Sequence, residues 1–201
     1  MKTSDHLALS KWLLYRSRQP LRRSCSFGVL LGSVLPDCNL FTYLRGIPRH
    51  QGLHGHNAEA TEGKVGKLIE KARKNGISGF LSGVRFGVSL HYLADAFTYP
   101  HHAYYPGTLR DHMAYEKELH GMFERYLWES GELPWTCADD LTTYLEKMLD
   151  FYRDCHHSER TDCRFITAMC GLAFESVVNR QENEEVLHED SDYDRLVPSV
   201  R

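Results

Sequence analysis

From His91 to Glu116 the chain reads HYLADAFTYPHHAYYPGTLRDHMAYE, which places His91, Asp95, His101, His112 and Glu116 within 26 residues. His91/Asp95 and His112/Glu116 are each spaced four apart. On a helix such a pair stands one turn apart on one face and can point two ligand atoms at one ion. Imidazole nitrogen with carboxylate oxygen is the donor set that suits zinc where thiolates are missing. Neighbouring elements that concentrate these groups point to a cluster of ions rather than one structural ion. Upstream, His6, the dipeptide Pro36-Asp37 and the run His54-Gly55-His56-Asn57 add groups of the same kind.

Each feature also has a plainer reading. Alone, His91/Asp95 reads equally well as a buried hydrogen-bonded pair. His112/Glu116 alone reads as an exposed i,i+4 pair worth about 0.3–0.5 kcal/mol. Taken together with His101, Asp37 and the histidine loop, these readings lose ground, because so many buried charges without a shared cation would be costly. His120 continues the stripe of 112 and 116 and reads as a supporting or surface residue. His102 is an alternative ligand or a donor behind one. His156 and His157 read as caps at a helix end, and His188 as solvated. Tyr92, Tyr99, Tyr104, Tyr105 and Tyr115 surround the run; packing in the core or at the rim is the reading preferred over a cleft wall whose phenols donate to phosphate.

The elements that must position these groups are helical, with almost no strand signal. Periodicity predicts helices over 4–18, with Ser4 or Asp5 as cap, and over 26–35, stopped by Pro36. Others are expected over 57–74, 78–98, 108–129, 138–155 and 159–180. The helix over 78–98 is the most apolar and is expected to be central. Its Gly79, Gly83 and Gly87 recur every fourth residue, and glycine costs about 1 kcal/mol relative to Ala inside a helix, so the stripe predicts a closely approaching neighbour. The result is an all-α, single-domain bundle of six or seven helices over 1–180. Seven acidic residues in 181–201 predict a loosely held acidic tail.

Composition narrows the class. At 201 residues with 42% hydrophobic and 25% charged residues, the chain suits one soluble core. A net charge of −3 gives no whole-protein reason to expect nucleic acid. Cys25, Cys38, Cys137, Cys155, Cys163 and Cys170 show no CxxC spacing and read as buried or free thiols of a reducing compartment. Without an apparent signal peptide or membrane span, a cytoplasmic protein is expected. Arg16, Arg18, Arg22 and Arg23 around Pro20 read first as a solvated turn; facing anionic lipid, as a peripheral membrane contact, is the alternative.

The early histidine, the Pro-Asp loop, HYLAD followed by His101, and HMAYE resemble the zinc-dependent phospholipase C family, whose fold is shared with the fungal single-strand nucleases. The likeness covers roughly residues 1–120. It implies two or three zinc ions in a cleft of a helical bundle. One zinc would be held by Asp37, His56, His91 and Asp95; a second by His101, His112 and Glu116; a third by His6, with Asp95 shared. The implied reaction is hydrolysis of a phosphodiester, a phospholipid first, by metal-activated water, with Asp37 also orienting or deprotonating that water. A single-strand nuclease-like hydrolase and a non-catalytic zinc protein are the alternatives. Secreted members begin with a tryptophan whose amino group and carbonyl bind the third zinc. Here Met1 stands five residues before His6, and Lys2 disfavours its removal, so the Met1 backbone is the expected substitute. His54 and His50 are alternatives to His56.

Overall fold

The computed structural model of the protein describes residues 1–38, 58–130 and 140–179. The histidine loop with His50, His54 and His56, together with Cys137, His188 and the tail 181–201, lies outside the described residues. Seven α-helices occur among the described residues: α1 Thr3–Arg16, α2 Arg23–Cys38, α3 Ala58–Asn75, α4 Phe80–Ala96, α5 Leu109–Glu129, α6 Leu141–Asp154 and α7 Glu159–Val178, with a 3-10 turn at Tyr99–His101. The fold is all-α, as the periodicity predicts. Among the described residues no helix is long and apolar enough to cross a membrane.

Helix α4 is central. It packs on α2, α3, α7 and α1, and Phe86, Leu90, Leu93 and Ala94 are buried on it together with Ser89, His91 and Asp95. Trp12, Phe97, Phe123, Phe174 and Ile166 fill the core around it. Local chemistry sets the helix starts. Thr108 caps α5 by accepting from the Asp111 amide while Asp111 accepts from the Thr108 amide. Asp140 and Ser158 cap α6 and α7.

At α1 the cap position is Lys2 rather than Ser4 or Asp5. Asp5 instead sits in the first turn and accepts from the Lys2 amide at 3.2 Å. Pro36 does not stop α2, which runs on to Cys38. The missing amide of Pro36 would have reached back to residue 32, so it costs only one bond in the last turn. The continuation matters, because it keeps Asp37 on a helix that abuts α4.

The contact between α2 and α4 is made through glycine. A Cβ placed on Gly83 or Gly87 would fall well inside van der Waals distance of the Cys25 or Val29 carbonyl oxygen, and Gly28 and Gly32 meet the α4 backbone in the same way. Gly79 does not belong to this seam; it precedes the first turn of α4, with open space beside it. Bare backbone therefore lets the two helices approach until the Ser33 carbonyl lies 2.8 Å from His91 Nδ1. The five described cysteines are free thiols, with Cys25, Cys163 and Cys170 buried.

Helix propensity and packing make opposite predictions for Gly87→Ala. Propensity gains about 1 kcal/mol, whereas overpacking against a fixed backbone costs about 1–3 kcal/mol or more. Packing is expected to win, so the variant should unfold at lower denaturant than the parent; an equal or higher midpoint would contradict the seam.

Candidate metal centre

His6 lies on the buried face of α1, with Leu9, Trp12 and Leu13 following at helical spacing. Its ring stacks on that of His91, centroids 3.7 Å apart at 21°. Asp95, one turn after His91 on α4, is also buried. Asp95 divides its oxygens between neighbours. Oδ1 stands 3.3 Å from His6 Nε2 and 3.4 Å from the Met1 amino nitrogen. Oδ2 stands 3.2 Å from His91 Nε2, and Asp37 Oδ1 approaches the same His91 nitrogen at 3.6 Å. Because the Ser33 carbonyl can only accept, His91 Nδ1 carries a proton. In the neutral ring, Nε2 is then a bare lone pair aimed at two carboxylates.

A second group is built across the 3-10 turn and α5. His101 Nε2 and His112 Nε2 lie 3.2 Å and 3.1 Å from one oxygen, Glu116 Oε1. The Met1 amine reaches the same oxygen at 3.0 Å and His101 Nε2 at 2.9 Å. His101, His112 and Glu116 are half-buried, whereas His6, His91 and Asp95 are buried. Within each trio the donor atoms lie within 4.8 Å of one another.

The charges follow from this crowding. Burial alone would raise Asp95, but His101, the Met1 amine, His91 and His6 hold it ionised well below the usual carboxylate range. Glu116 is likewise lowered despite its burial, by His101, His112 and the amine. His6 is pushed down to about 4 by burial and by the adjacent His91, so it is neutral at physiological pH. For His91, burial is outweighed by Asp95, Asp37 and the Ser33 carbonyl, and its pKa rises.

Two features test whether a metal fits. His6 Nδ1, His101 Nδ1 and Asp37 Oδ2 have no hydrogen-bond partner among the described residues, although all three atoms are buried. Polar atoms so placed normally have partners. In addition, a tetrahedral ion with ligand bonds of about 2.0 Å separates its ligand atoms by about 3.3 Å. The donor separations around Asp95, His91, His101 and Glu116 run from 2.9 to 3.8 Å and so bracket that value. The residues fit zinc.

The structure thus brings together His6, Asp37, His91, Asp95, His101, His112 and Glu116, and His56 lies outside the described residues. His102 is not among them; its Nε2 is bound to the Ala96 carbonyl at 2.9 Å and its ring stacks on Tyr104. His120 donates to Asp5 at 2.6 Å, joining α5 to the start of α1 next to His6. His157 stacks on Tyr99 at 4.0 Å and bonds the Arg153 backbone near the end of α6.

One residue that spacing rules overlook is Asp162. It is fully buried on α7 and accepts from the Tyr99 amide at 2.9 Å, the Tyr115 hydroxyl at 2.9 Å and the Tyr152 hydroxyl at 2.6 Å. Its signal in the sequence is an acid in register with the apolar stripe Ile166, Met169 and Cys170.

The bundle thus gathers imidazoles and carboxylates from four helices and a turn, a donor set suited to metal. The model of the family described as zinc dependent phospholipase C matches residues 6–175, and the chain belongs to that family. Neither curated proteins nor solved structures gave a match.

Burial pushes Asp162 up to about 7 from an ordinary 3.8, against the pull of its three hydrogen bonds. Between those values the folded chain holds a proton that the unfolded chain has released, so stability is full below pH 4 and is lost as pH rises to 7. The loss from this group is on the order of 4 kcal/mol. Denaturant titrations of the metal-free protein should show a shallower decline across that window in Asp162→Asn than in the parent; parallel curves would refute the shift.

Proposed function

We propose that the protein is a zinc-dependent phosphodiesterase of the phospholipase C type, acting on a phospholipid. The observation that carries this reading is Asp95, buried and presenting one oxygen to His6 and the other to His91. Such a carboxylate is suited to bridge two ions. We assign Asp37, His91, Asp95 and the loop His56 to one zinc, and His101, His112 and Glu116 to a second. His6, the shared Asp95 and, in a chain that starts there, the Met1 amine go to a third. Zinc in this setting lowers the pKa of water toward 7 and neutralises charge on a phosphodiester.

The chain's own residues contribute position and proton handling. Asp37 Oδ2 has no hydrogen-bond partner among the described residues, which suits it to orient the attacking water and take its proton. The Ser33 carbonyl engages His91 Nδ1, so Nε2 is the nitrogen turned toward the site, the one that would ligate an ion. Burial of the Asp95 group excludes competing solvent, while the half-buried second group is the side open to substrate. The family supports a lipid substrate over single-stranded nucleic acid, and the net charge of −3 agrees.

Elemental analysis should find two or three zinc ions per chain, and the zinc-loaded protein should hydrolyse a phosphatidylcholine analogue faster than a phosphodiester dye or single-stranded DNA. Full metal loading with no hydrolysis of any of them would leave a non-catalytic zinc protein. His91→Ala and Asp95→Ala should weaken zinc by at least about 100-fold and lower the melting temperature. A melting temperature indifferent to chelator in the parent would end the metal reading. An extension placed before Met1 should remove zinc from the His6 site alone; unchanged zinc content in the extended chain would exclude the amine as a ligand.

A further inference from the structure

His101 has a structural problem that the other ligand-type residues on helices do not share. His91, Asp95, His112 and Glu116 are spaced by helix geometry, but His101 ends a 3-10 turn between α4 and α5. Something must hold that turn against α5. Asp162 Oδ2 receives both the Tyr99 amide, at the start of the turn, and the Tyr115 hydroxyl, on α5 beside Glu116. Its other oxygen receives Tyr152 from α6. Tyr105 and Tyr115 pack edge-on against Tyr99 around this point.

We propose that Asp162 is a positioning residue for the second zinc group. By tying the turn that carries His101 to the helix that carries His112 and Glu116, it sets their separation and hence the zinc affinity of that group alone. The assignment rests on the zinc reading of the site. It concerns hydrogen-bond acceptance rather than charge. An asparagine in the same pose offers its carbonyl oxygen to the Tyr99 amide and the Tyr115 hydroxyl, and its amide to the Tyr152 oxygen, which can accept. Alanine offers none of these.

Zinc affinity would be measured by competition with a chromophoric chelator on the full chain. Asp162→Ala should weaken part of the bound zinc by about 10-fold, the lower end of the range for removing a partner that touches the ligand directly, and Asp162→Asn should retain it. In a His112→Ala background Asp162→Ala should cost nothing more, whereas in a His91→Ala background it should cost its full factor. A general structural role would instead weaken both groups and add in both backgrounds, which would overturn the proposal. So would an asparagine variant as weak as the alanine one. If Asp162→Ala does not fold, Tyr115→Phe removes one of the same bonds and should cause a smaller weakening confined to the same group; no change would count against the assignment. A parent chain that binds no zinc would overturn the metal reading and this one with it. Zinc-bound parent with Asp162→Ala unaltered would overturn this one alone.

Discussion

A carboxylate that stays ionised at the centre of an all-helical core needs donors and positive charge around it. Asp95 is that carboxylate, and two helices, a turn and Met1 ahead of α1 supply its company. Leaving a charge so deep without partners would cost several kcal/mol, so His6 from α1, His91 from α4, His101 from the turn and the Met1 amine all converge on it. The Met1 amine lies between Asp95 and Glu116, 3.4 Å from one carboxylate and 3.0 Å from the other. The same geometry that makes an ammonium at home there makes a divalent ion at home.

The close approach of α2 and α4 serves this arrangement. With side chains at Gly28, Gly32, Gly83 or Gly87 the helices would stand further apart, and neither the Ser33 carbonyl nor Asp37 would reach the His91 ring. The tautomer of His91 is therefore decided by backbone packing rather than by any residue beside it in sequence. The extension of α2 past Pro36 is part of the same solution: a loop at that point would leave Asp37 without a fixed approach to Nε2.

Much of this was legible in the sequence, and the parts that were not share a cause. Spacing of four on a helix is a local rule, so the pairs His91/Asp95 and His112/Glu116 could be read directly, as could the all-α class and the centrality of the 78–98 segment. Pro36 misled because its cost depends on where in a helix it falls, and the last turn forgives it. Gly79 misled because periodicity continues past the point where a helix begins. The partners of Asp162 and of His120 could not be read, because Tyr115, Tyr99 and Asp5 lie 47, 63 and 115 residues away, a separation that no local pattern encodes.

The two groups of donors differ in a way that bears on their use. His6, His91 and Asp95 are buried on helices whose positions the hydrophobic core already fixes, so an ion there would be held as firmly as the core itself. His101, His112 and Glu116 are half-buried, and their geometry depends on a turn held from behind by a carboxylate. Among the described residues, Asp37, His112 and Glu116 are the ligand-type side chains that keep partial contact with solvent. The two groups meet at Asp95 Oδ1, which lies 3.8 Å from His101 Nδ1.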